Sequence, residues 1–357
     1  MKDKILLLCD SFKESISSVE IKDLALKFFK QKNVLIKAFG IADGGEGTVD
    51  FFIKEKNYEK VMVDSVNAFN EPIKTYYAYD SMSNTAVFDS AQIVGFAINN
   101  KLDIIHATTF GIGLVIKEII HKGFKNILIG LGGSITNDGG SGMLEALGAK
   151  FYYDDKIVNL SINPFKMINK ADFSLVFKLL KNIHLTILSD VVNPLLGPNG
   201  ATNIYSIQKG STKEERSMME SWMECYSKVV GYDPFSKSTG AAGGLGYAFK
   251  VIGADTKIGI DVILDSINIK ELYDNETLVI TGEGKIDKTS FSGKVVGKIT
   301  SLVGIDNCAI ICGIDTIKNP NYHVYPLHDE PTLDFKKTVK KDLEQAFFKI
   351  LNDYKLG

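Results

Sequence analysis

Asn126-Ile127-Leu128-Ile129, then Gly130-Leu131-Gly132-Gly133-Ser134-Ile135-Thr136-Asn137-Asp138-Gly139-Gly140-Ser141-Gly142, then Met143-Leu144-Glu145-Ala146-Leu147: this stretch decides the fold class. A short apolar run, a glycine-rich turn and a helical apolar pattern follow one another directly, which reads as strand, turn and helix of an α/β protein. Glycine loses the most conformational freedom on folding and packs no side chain, so clustering it carries a cost. The usual compensation is close backbone approach to a ligand, with N–H groups turned toward an anion. Ser134, Thr136, Asn137 and Asp138 add hydroxyl, amide and carboxylate groups to the same turn. The combination points to a phosphate or carboxylate site, and so to an enzyme.

The same grammar recurs at both ends of the chain. Residues 4–9 form a continuous apolar run, as in a strand buried on both faces. Ser17 and Glu20 make a capping box ahead of an apolar stripe of Ile21, Leu24, Ala25, Phe28 and Phe29. Further strands are expected at 33–39, 277–281, 307–312 and 322–327, and a terminal helix at 335–354. Five short strands separated by helices suit a three-layer α/β sheet. The middle differs: residues 58–79 alternate apolar and polar, as antiparallel strands do. The expectation is a discontinuous first domain, 1–60 plus 272–357, with an α/β domain of residues 61–271 inserted between its second and third strands.

Composition narrows the function. A chain of 357 residues is too long for one ordinary core, and its 45% apolar and 24% charged content is that of a globular protein. A net charge of -2 gives no reason to expect nucleic acid or an anionic membrane as partner. The four cysteines form no CxxC and no zinc spacing; Cys9, Cys308 and Cys312 sit in or beside apolar runs and read as buried reduced thiols, which favours the cytoplasm. The apolar run at 5–9 is too short for a signal-peptide core.

Loops that follow strands carry the chemistry. Asp10, Ser11 and Lys13 lie just past the first strand, and Asp43 and Glu46 stand among three glycines after the second. Ligands bind at the carboxyl ends of strands in open α/β sheets, although an Asp or Ser there also serves as a helix cap. The run from Gly282 through Glu283 and Asp287 to Lys294 resembles a nucleotide loop, yet Val295 stands where the phosphate-loop motif needs Ser or Thr. No dinucleotide fingerprint follows the first strand. Asp190 ends another apolar run. Gly243 and Gly244 lie in a small-residue turn that is either a phosphate-holding helix start or a close backbone crossing. Thr108 and Thr109 precede a further glycine-rich helix start. Backbone N–H groups and lysines for phosphate, with carboxylates for Mg2+ and for orienting a hydroxyl, are what phosphoryl transfer needs.

Taken in order, DSFKES (10–15), ADGGEGT (42–48), GLGGSITNDGGSGM (130–143), SDVVNPLLGPNGA (189–201), QKG (208–210), GAAGGLG (240–246) and LVITGEGKID (278–287) with GK (293–294) resemble the bacterial type I glycerate kinases over nearly the whole chain. The resemblance implies a flavodoxin-like domain carrying an inserted α/β domain. It also implies phosphorylation of D-glycerate by Mg·ATP, with 2-phosphoglycerate as the product. It implies catalytic roles for Asp190, Asp138 and Lys13. Phosphate, nucleotide or glycerate contacts are expected from Asp10, Ser11, Gly132, Gly133, Ser134, Asn137, Thr108, Gly243, Gly244, Glu283 and Lys294, and metal contacts from Asp43, Glu46 and Asp287. A homodimer is compatible with it. The chain departs from the family pattern at Glu14, Asp89, Lys285, Thr289 and the turn 66–70. Those departures keep a kinase for another small hydroxy acid as a rival reading; a non-catalytic sensor of glycerate or nucleotide is a second.

Overall fold

The structure, a computed structural model, describes residues 2–12, 15–99, 101–291, 294–330 and 335–356. The chain opens with β1 (Lys4–Cys9), α1 (Ser18–Gln31), β2 (Leu35–Gly40) and α2 (Thr48–Lys56). There follow β3 (Glu59–Val66), β4 (Pro72–Asp80), β5 (Thr85–Asp89), α3 (Ala91–Val94), α4 (Phe110–His121), β6 (Asn126–Gly130) and α5 (Ser141–Leu147). Next come β7 (Lys150–Tyr153), β8 (Lys156–Val158), β9 (Lys170–Asp172), α6 (Ser174–Leu180), β10 (His184–Leu188), α7 (Ala201–Tyr205), α8 (Lys213–Val230), α9 (Ala241–Val251) and β11 (Asp255–Lys257). The chain closes with α10 (Gly259–Ser266), β12 (Thr277–Ile286), α11 (Val295–Val303), β13 (Cys308–Asp315), β14 (Val324–His328) and α12 (Phe335–Asp353).

Contacts divide the chain into two compact units. The first comprises Met1–Asp43, Lys54–Lys56 and Ile260–Gly357; the second comprises Gly44–Ile53 and Asn57–Gly259. The expected junctions fall after residues 60 and 271; by contacts the chain leaves the first unit after Asp43, returns to it at Lys54–Lys56, and leaves the second after Gly259. One cause is visible at Asp89, whose carboxylate accepts hydrogen bonds from the N–H groups of Gly47 (2.9 Å) and Val49 (3.1 Å). That ties the start of α2 to the second unit.

In the first unit the sheet order is β14-β13-β12-β1-β2, with every neighbouring pair parallel. Counted within the unit this is the flavodoxin-like order 2-1-3-4-5, whose switch point lies between β1 and β12. Ile5, Leu7, Leu278, Ile280, Ala309 and Ile311 face Ile21, Ala25 and Phe29 of α1 and Leu343 and Phe347 of α12. Ile310 and Cys312 point the other way, onto Val296 of α11. The result is the expected three layers. The capping box of α1 forms as expected: Ser17 Oγ accepts from the Glu20 N–H, and Glu20 Oε2 accepts from the Ser17 N–H, each at 3.2 Å. One element differs. β12 does not stop at Thr281 but runs through the glycines to Ile286, because Lys285 and Ile286 still pair with Ile314 and Asp315 of β13. Parallel pairing uses backbone groups, so the missing side chains do not end the strand.

The second unit holds a sheet in the order β11-β10-β6-β5-β4-β3 and a small sheet β8-β7-β9. β5, β6, β10 and β11 are parallel, while β3, β4 and β5 are antiparallel neighbours, which accounts for the alternation at 58–79. α8 buries Met219, Trp222, Met223 and Tyr226, with Trp222 stacked on Tyr226 at 4.8 Å between ring centroids.

Phe347 lies fully buried, 5.3 Å from Phe29 and 5.7 Å from Phe28 between ring centroids. Phe347→Ala should destabilise the first unit by about 3–5 kcal/mol. Urea unfolding checks this; a loss below about 1 kcal/mol would mean that α12 does not complete this core.

Candidate active site

All five strands of the first unit end at one cavity of about 420 Å³. β1 is followed by Asp10 and Ser11, and β2 by Asp43; β12 carries Glu283 and Lys285 and is followed by Asp287; β13 contributes Gly313 and Ile314, and β14 His328. Of the residues expected to bind ligand, the structure brings Asp10, Ser11, Glu283 and Lys294 together here, with the metal candidates Asp43 and Asp287. Glu46 belongs to the second unit, where it is exposed. Lys13 and its neighbour Glu14 lie outside the described residues.

The cavity is electrostatically mixed. Burial raises the Glu283 carboxyl above its ordinary range; the Ser290 hydroxyl and Lys294 oppose that shift, and Asp287 and Asp43 add to it. Glu283 Oε1 is buried without a protein hydrogen bond. Asp287 is shifted the opposite way by Thr289, whose hydroxyl and N–H donate to Asp287 Oδ1 at 2.6 and 2.8 Å. Thr289, one of the departures from the family pattern, therefore holds a carboxylate in its charged form. Lys294 is the N-cap of α11, so an ammonium and the positive end of a helix meet on the cavity wall.

Among the described residues no three His, Cys, Asp or Glu side chains form a group able to hold an ion unaided. Magnesium does not need one, since it is commonly held by one or two carboxylates plus substrate phosphates. The orphaned Glu283 oxygen, with Asp287 and Asp43 nearby in charge terms, fits such an arrangement.

In the second unit the loop 130–142 is largely internal. Gly133 is exposed and Gly132 half-buried, whereas Ser134 through Gly142 are buried. Ser134 Oγ bonds Thr136 Oγ1 at 2.6 Å and accepts from the Thr136 N–H at 3.0 Å. Asn137 donates to Thr202 Oγ1 at 3.0 Å while its Oδ1 has no hydrogen-bond partner. Asp138 is fully buried. Its Oδ2 accepts from the Thr109 N–H and hydroxyl, both at 2.8 Å, and from the Gly142 N–H at 3.2 Å; its Oδ1 accepts from the Gly140 N–H at 3.0 Å. Burial raises its pKa, and these donors pull it back. Both oxygens of Asp138 thus accept hydrogen bonds from the loop and from Thr109. Thr108 is also internal; its N–H donates to Ala68 O at 2.8 Å. Asn67 closes that neighbouring turn, its Oδ1 accepting from the Phe69 and Glu71 N–H groups, which explains how the chain manages without the family's usual turn there.

Gly243 and Gly244 are buried and in left-handed backbone conformation. A Cβ on Gly243 would lie 1.9 Å from Thr136 O, and the Gly139 N–H donates to Gly243 O at 3.1 Å. The close backbone crossing is therefore formed, and residues 242–244 make a left-handed kink directly ahead of the helical part of α9. Asp190, by contrast, is exposed just past β10.

Asp89, His328 and Lys209 are among the residues that were not expected at the site. Asp89, seen as a departure, anchors the start of α2. His328 ends β14 in the cavity. Lys209, inside the QKG stretch, is buried, and its ammonium donates to Thr136 O at 2.6 Å. Burial lowers its pKa to about 7 against the opposing pull of Asp138. Only its place in a motif hinted at a role, since burial of a lone lysine leaves no periodic signal.

Comparison with known proteins gives concordant matches. The sequence profile described as the glycerate kinase family matches residues 5–328. A Bacillus subtilis (strain 168) protein named glycerate kinase is 30% identical, the match covering 95% of this chain and 96% of that one. An Escherichia coli (strain K12) protein named glycerate 2-kinase is 33% identical over 82% of this chain and 80% of that one. A crystal structure of a candidate glycerate kinase 2 from Salmonella typhimurium LT2 superposes with a TM-score of 0.81 at 27% identity, covering 99% of both chains.

Lys209 generates a pH prediction. Its folded pKa of about 7 lies below the ordinary 10.5, so between those values the unfolded chain holds a proton that the folded chain lacks, and stability rises with pH across that window. Lys209→Met should remove this contribution, up to about 1.4 kcal/mol per pH unit. Urea midpoints at pH 7, 8 and 9 for both proteins check it; parallel pH trends would show that Lys209 keeps its proton on folding.

Proposed function

This chain belongs to the glycerate kinase family, and we propose that it transfers the γ-phosphoryl group of Mg·ATP to D-glycerate, at the 2-hydroxyl. The observation that carries the nucleotide part is the first unit's cavity, where all five parallel strands end and where Lys285, Lys294 and the start of α11 meet Glu283 and Asp287. The name of the Escherichia coli relative supports the 2-hydroxyl.

In-line phosphoryl transfer rests on positioning and electrostatics. Lys285 and Lys294 would neutralise phosphate charge, and the α11 N-terminus adds donors in the same place. Asp10 and Ser11 border the switch point from the β1 side. Glu283, Asp287 and Asp43 are the residues that would hold Mg2+, which would supply positive charge to offset that of the phosphates. In the second unit, we assign Asp190 to accept the hydroxyl proton: it is the exposed carboxylate at a strand end, whereas Asp138 spends its oxygens on the loop. Gly132 and Gly133 offer accessible backbone to an anionic group, with Ser134, Asn137 and Thr108 supporting it from inside. Gly243 and Gly244 set the backbone spacing behind it. The buried thiols Cys9, Cys308 and Cys312 support a reducing, cytoplasmic setting; among the described residues no helix is long and apolar enough to cross a membrane.

A coupled ADP-release assay with D-glycerate tests the reading, with tartronate as comparison and phosphorus NMR to locate the new phosphoester. Turnover with D-glycerate and a 2-phospho product are expected; preference for tartronate would select the rival substrate. Asp190→Asn should lower kcat by about 10²–10⁴-fold, and a variant within a few-fold of the parent would remove Asp190 as the base.

A further inference from the structure

The charged side chains of the first unit's cavity gather mostly on one side, although Phe12 adds a ring on the β1 side and Glu330 a carboxylate beyond β14. On the β1 and β12 side stand Asp10, Glu283, Lys285 and Asp287, with Lys294 close by at the start of α11. On the β13 and β14 side stand Gly313, Ile314 and His328, with Phe335 at the start of α12. A nucleotide has the same division, a charged polyphosphate and a flat apolar base. We propose that the β13–β14 side is the nucleoside subsite, with Ile314 and Phe335 covering the base and His328 fixing its polar edge. The inference rests on the nucleotide reading above and specifies which end of the ligand lies where.

Local geometry supports a preformed seat. His328 is aligned with Ile314 by the parallel register of β13 and β14. Its Nε2 lies 3.1 Å from Asp342 Oδ2, with both side chains mostly buried. Its ring meets Phe335 edge to face, 5.2 Å between centroids at 83°. Phe335 in turn rests over bare backbone: a Cβ on Gly313 would lie 3.3 Å from Phe335 Cζ and 2.5 Å from Gly284 O. The imidazole and the phenyl ring are therefore held before any ligand arrives, which limits the ordering cost of binding. Aromatic faces take bases by stacking with little regard to which base it is. Glu330, also on this side of the cavity, supplies acceptors suited to ribose hydroxyls.

Titration calorimetry on the full chain tests this with two probes, ATP and inorganic tripolyphosphate, at one fixed magnesium concentration. Phe335→Ala should weaken ATP about tenfold or more and leave tripolyphosphate within about twofold. Phe335→Leu, which keeps most of the bulk without the ring face, should show the same ordering and guards against a folding defect. Lys294→Met should weaken both probes. Equal weakening of both probes by Phe335→Ala, or unchanged ATP affinity, would overturn the nucleoside subsite while leaving nucleotide binding in place. Failure of ATP to bind the unaltered protein would overturn the nucleotide reading itself, and the subsite with it.

Discussion

A single buried carboxylate organises the second unit. Asp138 accepts from Thr109, the N-cap of α4, and from Gly140 and Gly142 at the start of α5. One side chain thus ties together the starts of two helices that begin about thirty residues apart in sequence. Burying a charge is tolerable only when hydrogen bonds replace the lost water, and here three of the donors are backbone N–H groups, with the Thr109 hydroxyl as a further one. The glycines of the loop follow from this demand, because the backbone must turn tightly enough to aim successive N–H groups at one carboxylate. Lys209 adds a cation whose proton is weakly held for the same reason that Asp138 is hard to ionise: both sit where water does not reach.

The first unit solves a different problem. Its site is assembled from five strand ends, so no single loop needs to be elaborate. The sheet register sets which residues share the cavity, and short polar groups such as Thr289 then tune individual carboxylates. Glu283 and Asp287 lie four residues apart and are pushed in opposite directions, one by burial and the other by local donors. A site holding one carboxyl of each kind, with cations close by, suits a ligand that brings both negative charge and a metal ion.

Much of the fold could be read in advance. The apolar run at 4–9, the Ser17–Glu20 box and the alternation at 58–79 each reflect a local rule, and each appears as β1, the cap of α1, and the β3–β4 pair. Where reading stopped short, the cause was non-local. β12 continued past its glycines because a neighbour strand was there to pair with. The start of α2 joined the second unit because Asp89, some forty residues on, reaches it. For the candidate site, residue types and strand-end positions were legible, since they follow from where loops fall. Exposure was not: Ser134, Asn137 and Asp138 are buried, whereas Gly133 beside them is exposed, and a sequence carries no mark separating an internal polar group from an accessible one. His328 had no pattern to announce it, and Lys209 only its place in the QKG stretch, because a lone buried lysine leaves no periodic signal.

The chain order of the first sheet also has a consequence during synthesis. β1 is its central strand, yet only one neighbour, β2, is available when the first 43 residues have been made. The other, β12, is not translated until after residue 277. For the time taken to make more than two hundred further residues, at roughly 5–20 residues per second, β1 keeps an unpaired apolar edge. The second unit lies wholly within that interval and can complete its own sheets first. Its early folding shortens the effective loop between β1 and β12, so the segment that separates the two halves of the first sheet is also what brings their meeting within reach.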